Sequence, residues 1–203
     1  MKFITVSSEF GSGGREIGKR LADILGYDYY DREILTELAS KTNINEKYIE
    51  STLNSSILSR IPITFGRTLS LNSSALNTAS LLAQQHRLIK EIAEKGRDFV
   101  IVGRSANVIL SEYNTFDIFV YADMEDKIKR CRERSEGQSL TDKELEKEIR
   151  RIDRSRAECH SFVSNNEWGD KSGYHLCINT TNREIKKITP LIAEFANTYF
   201  SED

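Results

Sequence analysis

Residues 10–22 read FGSGGREIGKRLA, a glycine-rich turn running into a helix. Behind a strand, such a turn binds anions. The free N–H groups of the first helical turn point outward, and the helix dipole adds about half a positive charge. Gly11, Gly13 and Gly14 let the backbone wrap closely around a phosphate, with Ser12 and Arg15 supplying further N–H groups. A tight strand-to-helix turn with no ligand is the alternative for the same residues. Cations that suit a phosphate recur elsewhere. Arg15 follows the glycines, and Lys19 lies one helical turn further on. Arg104 ends the apolar run VIVG. Arg150, Arg151, Arg154 and Arg156 crowd into RRIDRSR. Guanidinium groups hold phosphate oxygens bidentately. Solvated helix charges balanced by Glu146 and Glu148 are the competing explanation for the last cluster.

These residues need elements to position them. FITVS (3–7), DFVIVGR (98–104), FDIFVYA (116–122) and YHLCINT (174–180) are short, β-rich apolar runs, and YDYYD (27–31) is a weaker one. Helical spacing appears at Ile17, Leu21, Ala22 and Leu25, stopped by Gly26, and again in REILTELASKT and from Leu81 to Lys95. Residues 126–160 predict a long charged helical stretch, broken near SEGQSLTD, with Thr141 and Glu144 forming a capping box at the second start. A last helix is expected over 183–199, with Pro190 kinking it or marking its start. Residues 43–80 are rich in Ser, Thr and Asn and carry no clear period. Strands alternating with helices imply an α/β fold with a parallel sheet covered on both faces. Ligands then sit beyond the carboxyl ends of the strands, where residues 8–15, 30–31 and 103–104 converge.

The 203 residues suit one domain with inserted lobes. With a net charge of −2, the chain as a whole points neither to nucleic acid nor to a membrane surface. No apolar run approaches the roughly 20 residues of a spanning helix. Three scattered cysteines suit a reduced, cytoplasmic protein. His86, His160 and His175 lack metal spacing, and no residue is assigned as a metal ligand. Asp123 is a weak substitute for a magnesium-holding acid and reads better as the N-cap of the helix from Glu125. Trp168 reads as a packing residue.

SSEFGSGGREIGKRLADILGYDYYDRE resembles the start of the cytidylate kinase-like proteins, a branch of the P-loop nucleoside monophosphate kinases. The resemblance continues in VIVGR, IFVYADMEDKIKR, IDRSRA and WGDKSGYHLCINT. It implies a P-loop NTPase-type sheet, a helical acceptor-binding insert at about 40–95 and a lid at about 132–165. It also implies transfer of a phosphoryl group from ATP, with Mg²⁺, to CMP or a related small acceptor. On the family pattern GxxGxGKGT, Ser8 replaces the first glycine while Gly11 and Gly13 match. Gly14 takes the place of the phosphate-binding lysine, and Glu16 that of the threonine that touches magnesium. Arg15 is the nearest substitute cation. Asp31 and Arg32 match the acceptor border, although Asp31 also suits a helix N-cap. Arg104 matches the arginine of the acceptor phosphate. Arg154 and Arg156 match the lid arginines that close over the transferring group, with Asp153 orienting them. Without the loop lysine, two other readings stay open: a phosphate-binding regulatory protein, and a kinase with a non-nucleotide acceptor.

Overall fold

The computed structural model describes residues 1–47, 49, 73–134 and 139–201. Five strands form one sheet: β1 (Phe3–Ser8), β2 (Asp28–Tyr30), β3 (Phe99–Val102), β4 (Thr115–Tyr121) and β5 (Leu176–Asn179). Their order is β2-β3-β1-β4-β5, and every pair is parallel. Parallel neighbours need crossover connections, which the intervening helices supply. The two innermost registers pair Phe3–Val6 with Phe99–Val102, and Phe3–Ser8 with Thr115–Val120.

The helices are α1 (Gly14–Leu25), α2 (Glu33–Thr42), α3 (Ser73–Glu94), α4 (Ala106–Ile109), α5 (Met124–Glu133), α6 (Asp142–Val163) and α7 (Ile185–Tyr199). Side chains alternate across a strand, so β1 and β3 feed two cores. On one face, Ile4, Val6, Val100, Val102 and Ile118 pack with Ile17 and Leu21 of α1 and Ile192 and Ala196 of α7. On the other, Phe3, Phe99 and Ile101 pack with Leu35 and Leu38 of α2 and Leu88, Ile89 and Ile92 of α3. Phe3 and Phe99, paired across β1 and β3, stack with ring centroids 4.4 Å apart.

The expected elements are present as an α/β parallel sheet covered on both faces. Gly26 caps α1 in the left-handed conformation, and Thr141 and Glu144 form the capping box of α6. Pro190 does not mark the start of the last helix, which begins at Ile185 and includes it. Asp31 is not the N-cap of α2, because Arg32 takes that position. Of the insert expected at about 40–95, residues 48 and 50–72 lie outside the described residues. So do residues 135–138, in the expected break between α5 and α6.

Candidate functional site

The chain passes from β3 to β4 across β1, so the turn leaving β1 opens into the crevice where strand direction of travel reverses. This turn is held from below. The Glu9 N–H donates to the Val120 carbonyl at 2.9 Å, and Ser12, fully buried, donates its N–H to the Glu9 carbonyl at 3.3 Å. The Ser12 hydroxyl lies 2.8 Å from the Glu9 carbonyl and 3.0 Å from that of Val120, while Thr180 donates to the Ser12 carbonyl at 2.7 Å. Ser12 therefore shapes the loop from inside. Gly11 and Gly13 have φ of 80° and 93°, a region that favours glycine. This curl leaves the N–H groups of Gly13, Gly14 and Arg15 without a protein acceptor among the described residues. They form the concave donor set that an oxyanion fills.

A cavity of about 400 Å³ opens over these groups. Gly11, Gly13, Gly14 and Arg15 line it from the loop, and Asp31, Arg32, Arg104 and Arg156 line it from the surrounding elements. Arg156 Nη1 donates to the Ser8 carbonyl at 2.6 Å, and its guanidinium lies 5.6 Å from the centre of the Phe10 ring. Burial weakens Arg156's hold on its proton; Asp153 counters this, while the like charges of Arg104 and Arg15 add to it. The charges of Arg104 and Arg15 thus bear on Arg156 beside a row of free N–H donors, and an anion placed there would offset them. Arg15 Nε also pairs with Asp31 at 2.6 Å, which ties the loop to the end of β2.

Arg104 stands in a left-handed run. Gly103, Arg104 and Ser105 have φ of 75°, 61° and 52°. Such a conformation in a non-glycine residue costs about 1–3 kcal/mol and clusters at functional sites. Here it turns the chain sharply out of β3 and sets Arg104 in the cavity wall.

Beneath the loop, Lys127 of α5 bridges Glu9 at 3.1 Å and Asp153 at 2.7 Å, with only 5% of its side chain exposed. Asp153 also accepts from the Phe10 N–H at 2.6 Å. The Asp153 carboxylate therefore positions the loop as well as α6. The sequence offered no signal for Lys127, whose partners lie 118 and 26 residues away.

Three expected residues fall elsewhere, the first being Ser12, whose N–H goes to Glu9 instead of the cavity. Glu16 pairs with Arg20 at 2.9 Å and Arg134 at 3.3 Å, outside the cavity wall. Arg154 is exposed and does not line the cavity, while Arg151 does. The inward face of α6 is marked by Ile152, Ser155, Cys159 and Val163 at spacings of three and four, and Arg151 and Arg156 flank it. That periodicity was available to find Arg151. Burial raises the Cys159 thiol above its ordinary range. Trp168 packs edge-on against Phe119 at 5.3 Å and touches the cavity rim. Asp123 occupies the N-cap position of α5, though its side chain makes no capping bond.

A family model described as the cytidylate kinase-like family matches residues 3–182. The chain belongs to the cytidylate kinase-like family. Among solved structures, an uncharacterized protein from Eubacterium ventriosum superposes with a TM-score of 0.71 at 25% identity, over 97% of this chain and 99% of that one. A shikimate kinase from Bacteroides thetaiotaomicron gives a TM-score of 0.58 at 15% identity, over 96% and 98%. A shikimate kinase from Acinetobacter baumannii, in complex with shikimate, gives 0.54 at 13%, over 97% and 93%. A search of curated proteins finds no match. The two kinases establish the P-loop kinase fold, and family membership supports a nucleotide-binding phosphotransferase. No described helix is long and apolar enough to cross a membrane.

Proposed function

We propose that this cytidylate kinase-like protein transfers a phosphoryl group from ATP to a small phosphorylated acceptor, CMP or a related nucleoside monophosphate. The observation that carries this reading is the convergence of Arg15, Arg104 and Arg156 beside the free N–H groups of Gly13–Arg15. The loop amides hold the donor's phosphates. Arg156 neutralises charge developing on the transferring group, and α6 acts as the lid that carries it. Asp31, Arg32 and Arg104 orient the acceptor, with Asp31 also aligning Arg15. No covalent intermediate is involved, and the rate gain comes from positioning and charge neutralisation.

The donor site fits triphosphate through its amides and guanidinium groups. It offers no dedicated metal cage: among the described residues no group of three His, Cys, Asp or Glu side chains could hold an ion. Magnesium is accommodated by phosphates, water and at most one or two carboxylates. Of the carboxylates, Glu9 and Asp31 line the cavity. A coupled turnover assay with ATP and a panel of CMP, UMP, AMP and shikimate tests the reading. Product with a nucleoside monophosphate supports it, and turnover with shikimate alone replaces the acceptor. ATP binding with no turnover on any acceptor favours the regulatory reading, to which the missing loop lysine also points.

A further inference from the structure

The cavity has a neutral polar surface that phosphate binding does not use. Gln85 of α3 lines it and is 5% exposed. Its Oε1 is buried with no hydrogen-bond partner among the described residues. A buried acceptor with no donor is costly, and native proteins leave few of them unexplained. The same cavity is lined by apolar side chains as well, Leu82 from the same helix, Ile109 from α4, and Ile152 and Val163 from α6. Arg32 and Arg104 line this same cavity and supply charge for a phosphate. The enclosure therefore combines a cationic part, apolar walls and one primary amide awaiting a donor.

We infer that Gln85 is a specificity-determining residue that reads the base of the acceptor. A carboxamide offers one acceptor and two donors in a plane. It matches the edge of a base that places an exocyclic amine beside a ring nitrogen, as cytosine and adenine do. The amine donates to Oε1, the ring nitrogen accepts from Nε2, and the apolar walls cover the faces of the ring. A carboxylate brings no hydrogen to Oε1. A sugar alone brings hydroxyls but leaves the apolar walls uncovered. The substrate class is an amine-bearing nucleoside monophosphate. This inference rests on the acceptor site proposed above and adds its base selectivity.

Calorimetry on the full chain with CMP, AMP and ribose 5-phosphate tests it without requiring turnover. The parent should bind CMP or AMP at least about 10-fold more tightly than ribose 5-phosphate. Gln85→Leu should weaken that nucleotide by about 5- to 150-fold, the range for stranding a buried polar partner. It should leave ribose 5-phosphate and ATP affinity unchanged. Gln85→Met repeats the test with an unbranched chain of similar volume, so a folding defect in one variant does not decide the result. A parent that binds all three acceptor probes alike overturns the inference, as does an equal loss for all three in both variants. Turnover is read separately. Its absence with every acceptor sinks the phosphotransfer reading, while the binding data still decide the role of Gln85.

Discussion

Ser8 and Gly14 occupy each other's space. A Cβ built on Gly14 would lie 2.5 Å from Ser8 Oγ and closer still to Ser8 Cβ, deep inside contact distance. Laid on the family pattern GxxGxGKGT, Gly14 falls at the lysine and Ser8 at the first glycine. The Ser8 side chain thus fills the space that any side chain at position 14 would need. Restoring the lysine alone should fail. Gly14→Lys overpacks the site and should cost about 1–3 kcal/mol in urea denaturation. Ser8→Gly combined with Gly14→Lys should recover most of that loss. Additive effects in this double-mutant cycle would show that the residues are independent.

With that position closed, Arg156 is the best placed cation for the donor phosphates, since it is enclosed and fixed by the Ser8 carbonyl. Arg156→Ala should reduce ATP affinity by about 10- to 150-fold, the value of a hydrogen bond to a charged group. Arg15→Ala should cost less, because Arg15 is half exposed and shared with Asp31. Arg156→Lys should recover little, since one ammonium cannot hold a carbonyl and a phosphate in the fork geometry of a guanidinium. Calorimetry with ATP ranks the three. A larger effect at Arg15 than at Arg156 would reverse the assignment.

Lys127 is the keystone beneath the loop. Lys127→Met leaves Glu9 and Asp153 facing one another without their shared cation. Removing one partner of a buried charge network typically costs about 3–5 kcal/mol. Urea denaturation should show a loss of that size, and nucleotide affinity should fall with it because Asp153 also holds the Phe10 amide. A stable variant with intact ATP binding would demote the network to surface chemistry.

His160 gives a pH signature. It is buried, its Nδ1 has no partner among the described residues, and burial pulls its pKa below 6.5. The folded state therefore resists the proton that the unfolded chain accepts. Its contribution is fully present above about pH 6.5 and is lost as pH falls below it. His160→Gln should flatten stability between about pH 5 and pH 7 relative to the parent. Asp117, whose carboxyl burial raises above 3.8, acts at lower pH with the opposite sign and is common to both proteins. Parallel curves would assign the acid sensitivity elsewhere.

The alternation of strands and helices was legible because each carries its own period: apolar runs such as FVIV, the Ile17–Leu21 stripe closed by Gly26, and the Thr141–Glu144 box. Four-residue α4 was not, since a single turn shows no periodicity. The glycine loop and Arg104, which line the cavity, were readable from local pattern, whereas Arg156, which also lines it, was reached only through the family resemblance. Arg154 was expected inward and is exposed because the helical phase of α6 is set by its apolar and small residues, not by its charges. Lys127 and the close approach of Ser8 to Gly14 were out of reach for a different reason. One joins distant segments of chain, and the other acts through the absence of a side chain.

The bonds that finish the glycine loop reach far along the chain: 118 residues from Glu9 to Lys127, 143 from Phe10 to Asp153, 148 from Ser8 to Arg156 and 168 from Ser12 to Thr180. A segment made almost first is thus completed almost last. During synthesis, residues 8–14 emerge with their glycines in place but without the contacts that give them shape, and long-range contacts of this kind form slowly. A nascent or truncated chain ending before α6 carries the glycine pattern without the Asp153 and Arg156 contacts that fix Phe10 and Ser8. On the proposed reading, competence to take nucleotide therefore arrives with the C-terminal half of the protein.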